Sequence, residues 1–351
     1  MTELTIALDA MGGDQGPDIV VTALERALSS FTQTHFILVG DKDTLQPILD
    51  RHPDILRSAR VTLHHASQVV AMDDKPSAVI RAKPDSSMRA ALDLVNNGTA
   101  DACVSAGNTG ALMAMAYLTL KTISGVIRPA LVAALPQQDG SQSLFLDLGA
   151  NPTADAETLC QFGIMGSVMA QQIKRQTYPR VAILNMGREE MKGHDTVKQA
   201  AQLLKNTPGI HYIGFVEGND LFSGAADVIV CDGFTGNIAL KACEGMADLL
   251  FTNLKQSVMR HLWSTLIAKL LFKRHKKAWQ WLNPDQYNGA SLLGLRGVVM
   301  KSHGNASANA YFSAITHAIN EASVELPQRI HDRIEHALLA QVTDNRDPDE
   351  S

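Results

Sequence analysis

Short apolar runs, many of them β-branched, alternate along this chain with stretches in which apolar residues return every three or four positions. The runs at 4–8, 35–39, 61–64, 101–104, 130–135, 143–146, 181–184, 212–216 and 228–230 read as strands buried on both faces. Helix-period stretches at 18–30, 86–96, 111–120, 156–175, 195–206 and 237–255 separate most of them. Such alternation builds βαβ crossovers, so the expected fold class is α/β, a three-layer α/β/α sandwich around a mainly parallel sheet. Residues 289–300 read as a turn and return strand before a helix at 305–326. No Pro/Gly/Ser-rich linker divides the chain, which predicts one unit of two closely joined lobes over 1–342 and a polar, flexible tail over 343–351.

One segment breaks the pattern. In 254–282, Leu254, Val258, Leu262, Leu266 and Leu270 recur every four residues, and Met259, Trp263, Ile267 and Leu271 form the adjacent row of one broad apolar helical stripe. Lys255, Arg260, Lys269, Lys273, Arg274, Lys276 and Lys277 add basic charge, with no acidic residue from Leu249 through Pro284. A basic, Trp-bearing amphipathic helix can lie in a membrane interface through Leu262, Trp263, Leu266, Ile267, Leu270 and Leu271. It can equally pack at a dimer contact with a solvated basic flank.

With 351 residues, 45% of them hydrophobic, the chain can bury a sizeable core. A formal net charge of -5 argues against a nucleic-acid binder with a broad basic face. Cys103, Cys160, Cys231 and Cys243 show no C-x-x-C spacing and read as reduced core thiols, with neither a disulfide frame nor a metal site. The first strand begins almost at once, without a signal-peptide pattern, so a cytoplasmic chain is expected. No apolar run reaches the roughly 18–20 residues that span a bilayer.

Candidate chemistry gathers where strands stop, because Gly, Asn and Asp recur there. In an open α/β sheet ligands bind at carboxyl ends of strands, where helix N-termini favour anions. The first such turn holds Asp9, Gly12, Gly13 and Asp14. The second, Ser105, Gly107, Asn108, Thr109 and Gly110, opens a helix and can converge N–H groups on phosphate. Asp147 and Asn151 form a third, and Asp232, Thr235, Gly236 and Asn237 a fourth, in which Asn237 can cap a helix or donate its amide to an oxyanion. Lys192 follows Glu189 and Glu190 in a mixed-charge loop and can neutralise phosphate or polarise a carbonyl. Lys75, Ser77 and Arg81 sit at another helix start, as an anion clamp or a solvated face. Each turn also reads as a packing or capping turn. Gly-x-Gly-x-x-Gly, the Walker-type Gly-Lys-Ser/Thr and the Gly-x-Ser-x-Gly elbow are absent, which disfavours a nucleotide site and a serine acyl-enzyme.

Taken in order, Ala7-Leu-Asp-Ala-Met-Gly-Gly-Asp14, Lys75-Pro-Ser-Ala-Val79, Ser105-Ala-Gly-Asn-Thr-Gly-Ala111, Leu146-Asp-Leu-Gly-Ala-Asn-Pro152, Asn185-Met-Gly-Arg-Glu-Glu-Met-Lys-Gly193, Asp232-Gly-Phe-Thr-Gly-Asn237 and Ser302-His-Gly-Asn-Ala306 closely resemble the bacterial acyl-ACP:phosphate acyltransferase family of phospholipid synthesis. The resemblance runs from about residue 4 to 326 and departs from the expected pattern at His303. It implies transfer of a long fatty acyl group from acyl carrier protein to inorganic phosphate, without a cofactor, by a homodimeric sandwich related to phosphotransacetylases and isopropylmalate dehydrogenases. It further implies delivery of the acyl phosphate to a membrane-bound glycerol-3-phosphate acyltransferase, peripheral association with the inner face of the cell membrane, and functional roles for Lys192 and Asn237. A phosphotransacetylase acting on acyl-CoA and an isopropylmalate-type dehydrogenase are the rival readings.

Overall fold

The structure, a computed structural model, describes residues 3–259 and 284–344. Its strands are β1 (Leu4–Asp9), β2 (Thr34–Gly40), β3 (Val61–His65), β4 (Ala102–Ser105), β5 (Ala130–Pro136), β6 (Gln142–Leu146), β7 (Arg180–Leu184), β8 (His211–Val216), β9 (Val228–Val230), β10 (Ala290–Leu293) and β11 (Val298–Lys301). Among the described residues they form one sheet in the order β3-β2-β1-β4-β11-β10-β5-β6-β9-β7-β8. The two outer blocks, β3-β2-β1-β4-β11 and β6-β9-β7-β8, are each parallel. Between them β10 is antiparallel to β11 and to β5, and β5 is antiparallel to β6. Three reversals make the blocks run in opposite directions.

The register decides how far apart the two sets of carboxyl ends lie. Lys301 pairs with Ser105 and Ala290, Ser291 pairs with Val132, and Ala133 pairs with Phe145. Ser105 and Lys301 are therefore level with Phe145, and the turns after β6 and β9 begin about three residues, roughly 10 Å, further along the strand axis in the opposite direction. Two staggered half-sheets thus bring opposite-facing strand ends near the middle of one sheet.

The helices are α1 (Pro17–Ser30), α2 (Lys42–Leu49), α3 (Pro53–Leu56), α4 (Pro76–Ala82), α5 (Ser87–Asn96), α6 (Thr109–Leu120), α7 (Ala156–Lys174), α8 (Asp195–Asn206), α9 (Gly233–Met259), α10 (Ala308–Ser323) and α11 (Leu326–Asp344). Alternation along β1 sends Ile6 and Leu8 to the face covered by α1 and α10, and Ala7 to the face covered by α5 and α6. The second layer of core continues under Phe145, Ile229 and Cys231, where Ala239, Leu240 and Cys243 of α9 pack on it. On the reverse of the second block, α7, α8 and α11 pack over Leu144, Leu146, Val181 and Val228. The three layers are those the sequence predicts.

Local signals place several ends. Asp41, Ser86, Asn108, Asp155 and Ser307 each accept a backbone N–H as the N-cap of a helix. The expected helix at 305–326 resolves into α10, a break at Glu325 with φ 51°, and α11. That second helix runs through Asp344, so the tail expected from 343 is helical at its start. The membrane-contact residues Leu262, Trp263, Leu266, Ile267, Leu270 and Leu271 lie outside the described residues, and of the 254–282 segment only the helical backbone up to Met259 is described.

Candidate active site

Asp9 ends β1 fully buried and accepts the Ser105 hydroxyl at 2.6 Å. Burial pushes its carboxyl pKa up, while bonds from Ser105, Ser87 and the backbone of Met11 and Gly12 oppose the shift. The Ser105 hydroxyl oxygen in turn accepts the Gly107 N–H at 3.1 Å. Asn108 caps α6 through Ala111 N–H at 3.0 Å and donates its amide to the carbonyls of Met72 and Asp74 at 2.8 and 3.0 Å. Ser105, Gly107 and Asn108 are thus engaged inside the fold. The N–H groups of Thr109 and Gly110 at the mouth of α6 have no partner among the described residues.

Glycine serves contact between turns here. A Cβ on Gly12 would stand 2.7 Å from both the Asp9 carboxylate and the Gly107 nitrogen, and Gly13, at φ +97°, lets Asp14 N–H reach the Gly304 carbonyl at 2.7 Å. Pro76 of α4 packs against Gly110, which brings Lys75 and Ser77 beside the α6 N-terminus. Lys75, Ser77 and Arg81 are exposed, and their side chains make no hydrogen bond or ion pair with the described residues.

In the opposite block Asp147 is fully buried. One carboxylate oxygen accepts the N–H groups of Leu131, Gly149 and Ala150 at 2.9, 3.2 and 2.9 Å. The other accepts the backbone and side-chain N–H of Asn151 at 2.7 and 2.9 Å. Burial still pushes its pKa up. Asn151 also donates to the Pro129 carbonyl at 2.7 Å, so this pair holds the turn. Asp232 caps α9, accepting Thr235 N–H at 2.8 Å and Thr235 hydroxyl at 3.0 Å. Gly236 faces the Asp147 carbonyl oxygen too closely for any side chain. Asn237 follows, exposed, its side chain turned to Gly149, and its amide has no hydrogen-bond partner among the described residues.

Lys192 lies after β7, on the same edge, because β6, β9 and β7 are parallel neighbours. Its amine stands 2.9 Å from Glu189, whose hydrogen bond raises the lysine pKa. No hydrogen bond joins Lys192 to Asn237 among the described residues.

Helix α9 links the two sets of strand ends. It starts at Asp232 beside Asp147, and two turns past Asn237 its Glu244 stands 3.8 Å from His303 in the turn after β11. Burial pushes the His303 pKa down. Beside it Lys301, nearly buried, has its pKa pushed down to about 8 by burial, with Asp14 and Asp9 opposing and Lys241 of α9 adding to the shift. In sequence Lys301 shows only as a lysine closing the apolar run Val298–Met300.

A cavity of about 480 Å³ lies elsewhere, at the outer edge beside β8 and α8. It has an apolar floor of Ala201, Ile213, Phe215 and Val216 and a rim bearing Arg188, Lys198 and Lys205. It shares Arg188 and Glu190 with the loop that carries Lys192. Neither the free amide of Asn237 nor the buried amine of Lys301 lines this cavity. No group of His, Cys, Asp and Glu among the described residues is placed to hold a metal, and no described helix is long and apolar enough to cross a membrane.

Comparison with known proteins bears on this arrangement. The profile of the family described as fatty acid synthesis protein matches residues 4–329. A curated phosphate acyltransferase of Idiomarina loihiensis is 51% identical over 342 residues, 97% of this chain and all of that one. A phosphate acyltransferase of Shewanella amazonensis is 52% identical over 339 residues, covering 97% and 99% of the two chains. Among solved structures, a phosphotransacetylase from Streptococcus pyogenes superposes with a TM-score of 0.61 at 18% identity, over 93% of this chain and 94% of that one. The EutD phosphotransacetylase from Staphylococcus aureus gives 0.58 at 18% identity over the same shares. At that identity these two show a shared fold.

Proposed function

The chain belongs to the fatty acid synthesis protein family and is an acyltransferase, and from that premise we propose that it moves a long-chain fatty acyl group from acyl carrier protein to inorganic phosphate. The observation that carries this reading is the unpartnered amide of Asn237, held at the first turn of α9 by the Asp232 cap and the Asp147 turn, between the two sets of strand ends.

A phosphate oxygen attacks the thioester carbonyl carbon and a C–O bond forms while the carbonyl π electrons move to oxygen. The Asn237 amide donates to that oxyanion, and Lys192 stabilises it on leaving Glu189. Collapse breaks the C–S bond, and the electron pair leaves with sulfur as a thiolate that takes a proton from water. Phosphate is largely dianionic near neutral pH and the thiolate is a competent leaving group. The step therefore needs charge stabilisation and positioning more than a strong base.

A homodimer fits the same surface. Phe234, Ile238, Met246, Leu249 and Leu250 of α9 are each more than half exposed and recur at helical spacing, an apolar stripe that a second copy would cover. The basic amphipathic segment that follows supports docking at the inner face of the membrane, where a labile acyl phosphate would pass to the glycerol-3-phosphate acyltransferase.

The deciding assay measures thiol release from palmitoyl carrier protein with and without inorganic phosphate, with hydroxylamine trapping of acyl phosphate and palmitoyl-CoA in parallel. Phosphate-dependent release with hydroxamate formation, faster from the carrier protein, is expected. Preference for CoA would identify a phosphotransacetylase activity. No phosphate-dependent release from either donor would refute acyl transfer to phosphate, and NADH formation with hydroxy acids would point to the dehydrogenase reading.

A further inference from the structure

Lys301 closes β11, level with Ser105 of β4, where the turns after β1, β4 and β11 meet and the last of them reaches Glu244 of α9 through His303. An ammonium carries three N–H donors. One goes to the Ser302 carbonyl oxygen; among the described residues the other two have no hydrogen-bond partner and no carboxylate stands at ion-pair distance. Asp9 and Asp14 act on the amine from farther away, and Lys241 repels it. Asp9 is already committed to Ser105, and Glu244 stands nearer to His303. A nearly buried cation left so is costly unless an anion completes it.

The nearby loop does not supply that cradle alone, because Ser105, Gly107 N–H and Asn108 are already bonded. We propose that Lys301 is a phosphate-binding residue, its two free N–H donors holding inorganic phosphate at the end of β11, along α9 from the Asn237 amide. This assignment rests on the acyl transfer to phosphate proposed above. The spacing suits it. Lys241, whose charge acts on Lys301, and Glu244, 3.8 Å from His303, follow Asn237 by four and seven residues, roughly 6 and 10 Å along the helix. A phosphate bound by the amine, with reacting atoms about 3–3.5 Å apart, fills such a gap.

The test compares wild type, Lys301→Met, Lys301→Arg and Asn237→Ala by steady-state kinetics with phosphate varied, and by thermal unfolding in phosphate against chloride at matched ionic strength. Lys301→Met is expected to raise the phosphate KM at least tenfold, to leave the acyl-donor KM within twofold, and to lose the phosphate-induced rise in Tm. Lys301→Arg should recover part of both effects, and Asn237→Ala should keep the rise in Tm while losing kcat. An unchanged phosphate KM together with a retained rise in Tm in folded Lys301→Met overturns the assignment. If Lys301→Met does not fold, acetic anhydride labelling of the wild type decides. Slower modification of Lys301 in saturating phosphate than in chloride supports the site, and equal modification overturns it. A wild type without phosphate-dependent thiol release overturns the acyl-transfer reading itself, a result distinct from an active wild type whose Lys301 variant is indifferent to phosphate.

Discussion

Asn237 and Lys192 differ in how much their surroundings constrain them. Asn237 stands on a capped first turn and has a free amide, whereas Lys192 is paired with Glu189, which the proposed mechanism requires it to leave. Removing one oxyanion donor raises a barrier by about 2.7–4 kcal/mol, so Asn237→Ala is expected to lower kcat by roughly a hundred- to a thousandfold with Tm unchanged, as steady-state assays and thermal melts would show. Lys192→Ala should also lower kcat; near-normal turnover in either variant removes that residue from the mechanism. Gly236→Ala acts differently. Its methyl would overlap the Asp147 carbonyl oxygen, a backbone atom that cannot step aside, and a loss of about 2 kcal/mol or more is expected in denaturant titration. Glu321 gives a pH test remote from the strand-end turns. It is fully buried, accepts the Ser291 hydroxyl at 2.7 Å, and burial raises its pKa to about 7 despite that bond. The folded state therefore keeps the proton that the unfolded chain releases above its ordinary value near 4.5. Stability from this group is present below that value and is lost as pH rises through about 7, a change of order 3 kcal/mol. Glu321→Gln should flatten that slope and leave the protein more stable than wild type at pH 8.

At the scale of elements, α9 does three things with one length of helix. Its N-terminus closes on the Asp147 turn, Ala239, Leu240 and Cys243 pack on the sheet, and Phe234, Ile238, Met246, Leu249 and Leu250 face outward. If that outer stripe is a dimer seam, Met246→Glu combined with Leu250→Glu should convert a species of twice the 37.9 kDa chain mass into one of that mass in light scattering. An unchanged mass would assign the stripe elsewhere. The amphipathic run beyond it makes a separate prediction. Leu266→Glu with Leu270→Glu should abolish flotation with anionic vesicles while leaving turnover on soluble acyl carrier protein intact, and undiminished flotation would favour the packing alternative.

At the scale of the molecule, the decisive feature is the reversal in the middle of the sheet. A uniformly parallel sheet would set every glycine-bearing turn along one edge, as the periodicity of the chain suggests. The antiparallel strands β10 and β5 instead turn the second block over. The Asp9 and Ser105 turns and the Asp147 and Asp232 turns then face opposite ways, and α9 runs from the Asp147 turn to the turn after β11, where Glu244 meets His303. On the proposed mechanism the groups that hold phosphate and the oxyanion come from separate blocks.

Hydrophobic periodicity sufficed for the three layers and most of the strands and helices, because burial on both faces leaves a period-independent apolar run and burial on one face leaves a helical one. The order of Gly, Asn and Asp at strand ends sufficed for the candidate turns. What those turns do with their polar groups was decided by tertiary structure. Asp147, Asn151, Ser105 and Asn108 carry residue types suited to binding a ligand, yet they spend hydrogen bonds on the fold, partly within their own turns and partly on Asp9, Met72, Asp74, Pro129 and Leu131, and only tertiary structure determines the second set. Lys301 stands out little in sequence for the converse reason. In sequence it is one lysine after an apolar strand, and its burial at the end of β11, beside β4 and under the charge of Lys241 in α9, depends on segments more than a hundred residues apart.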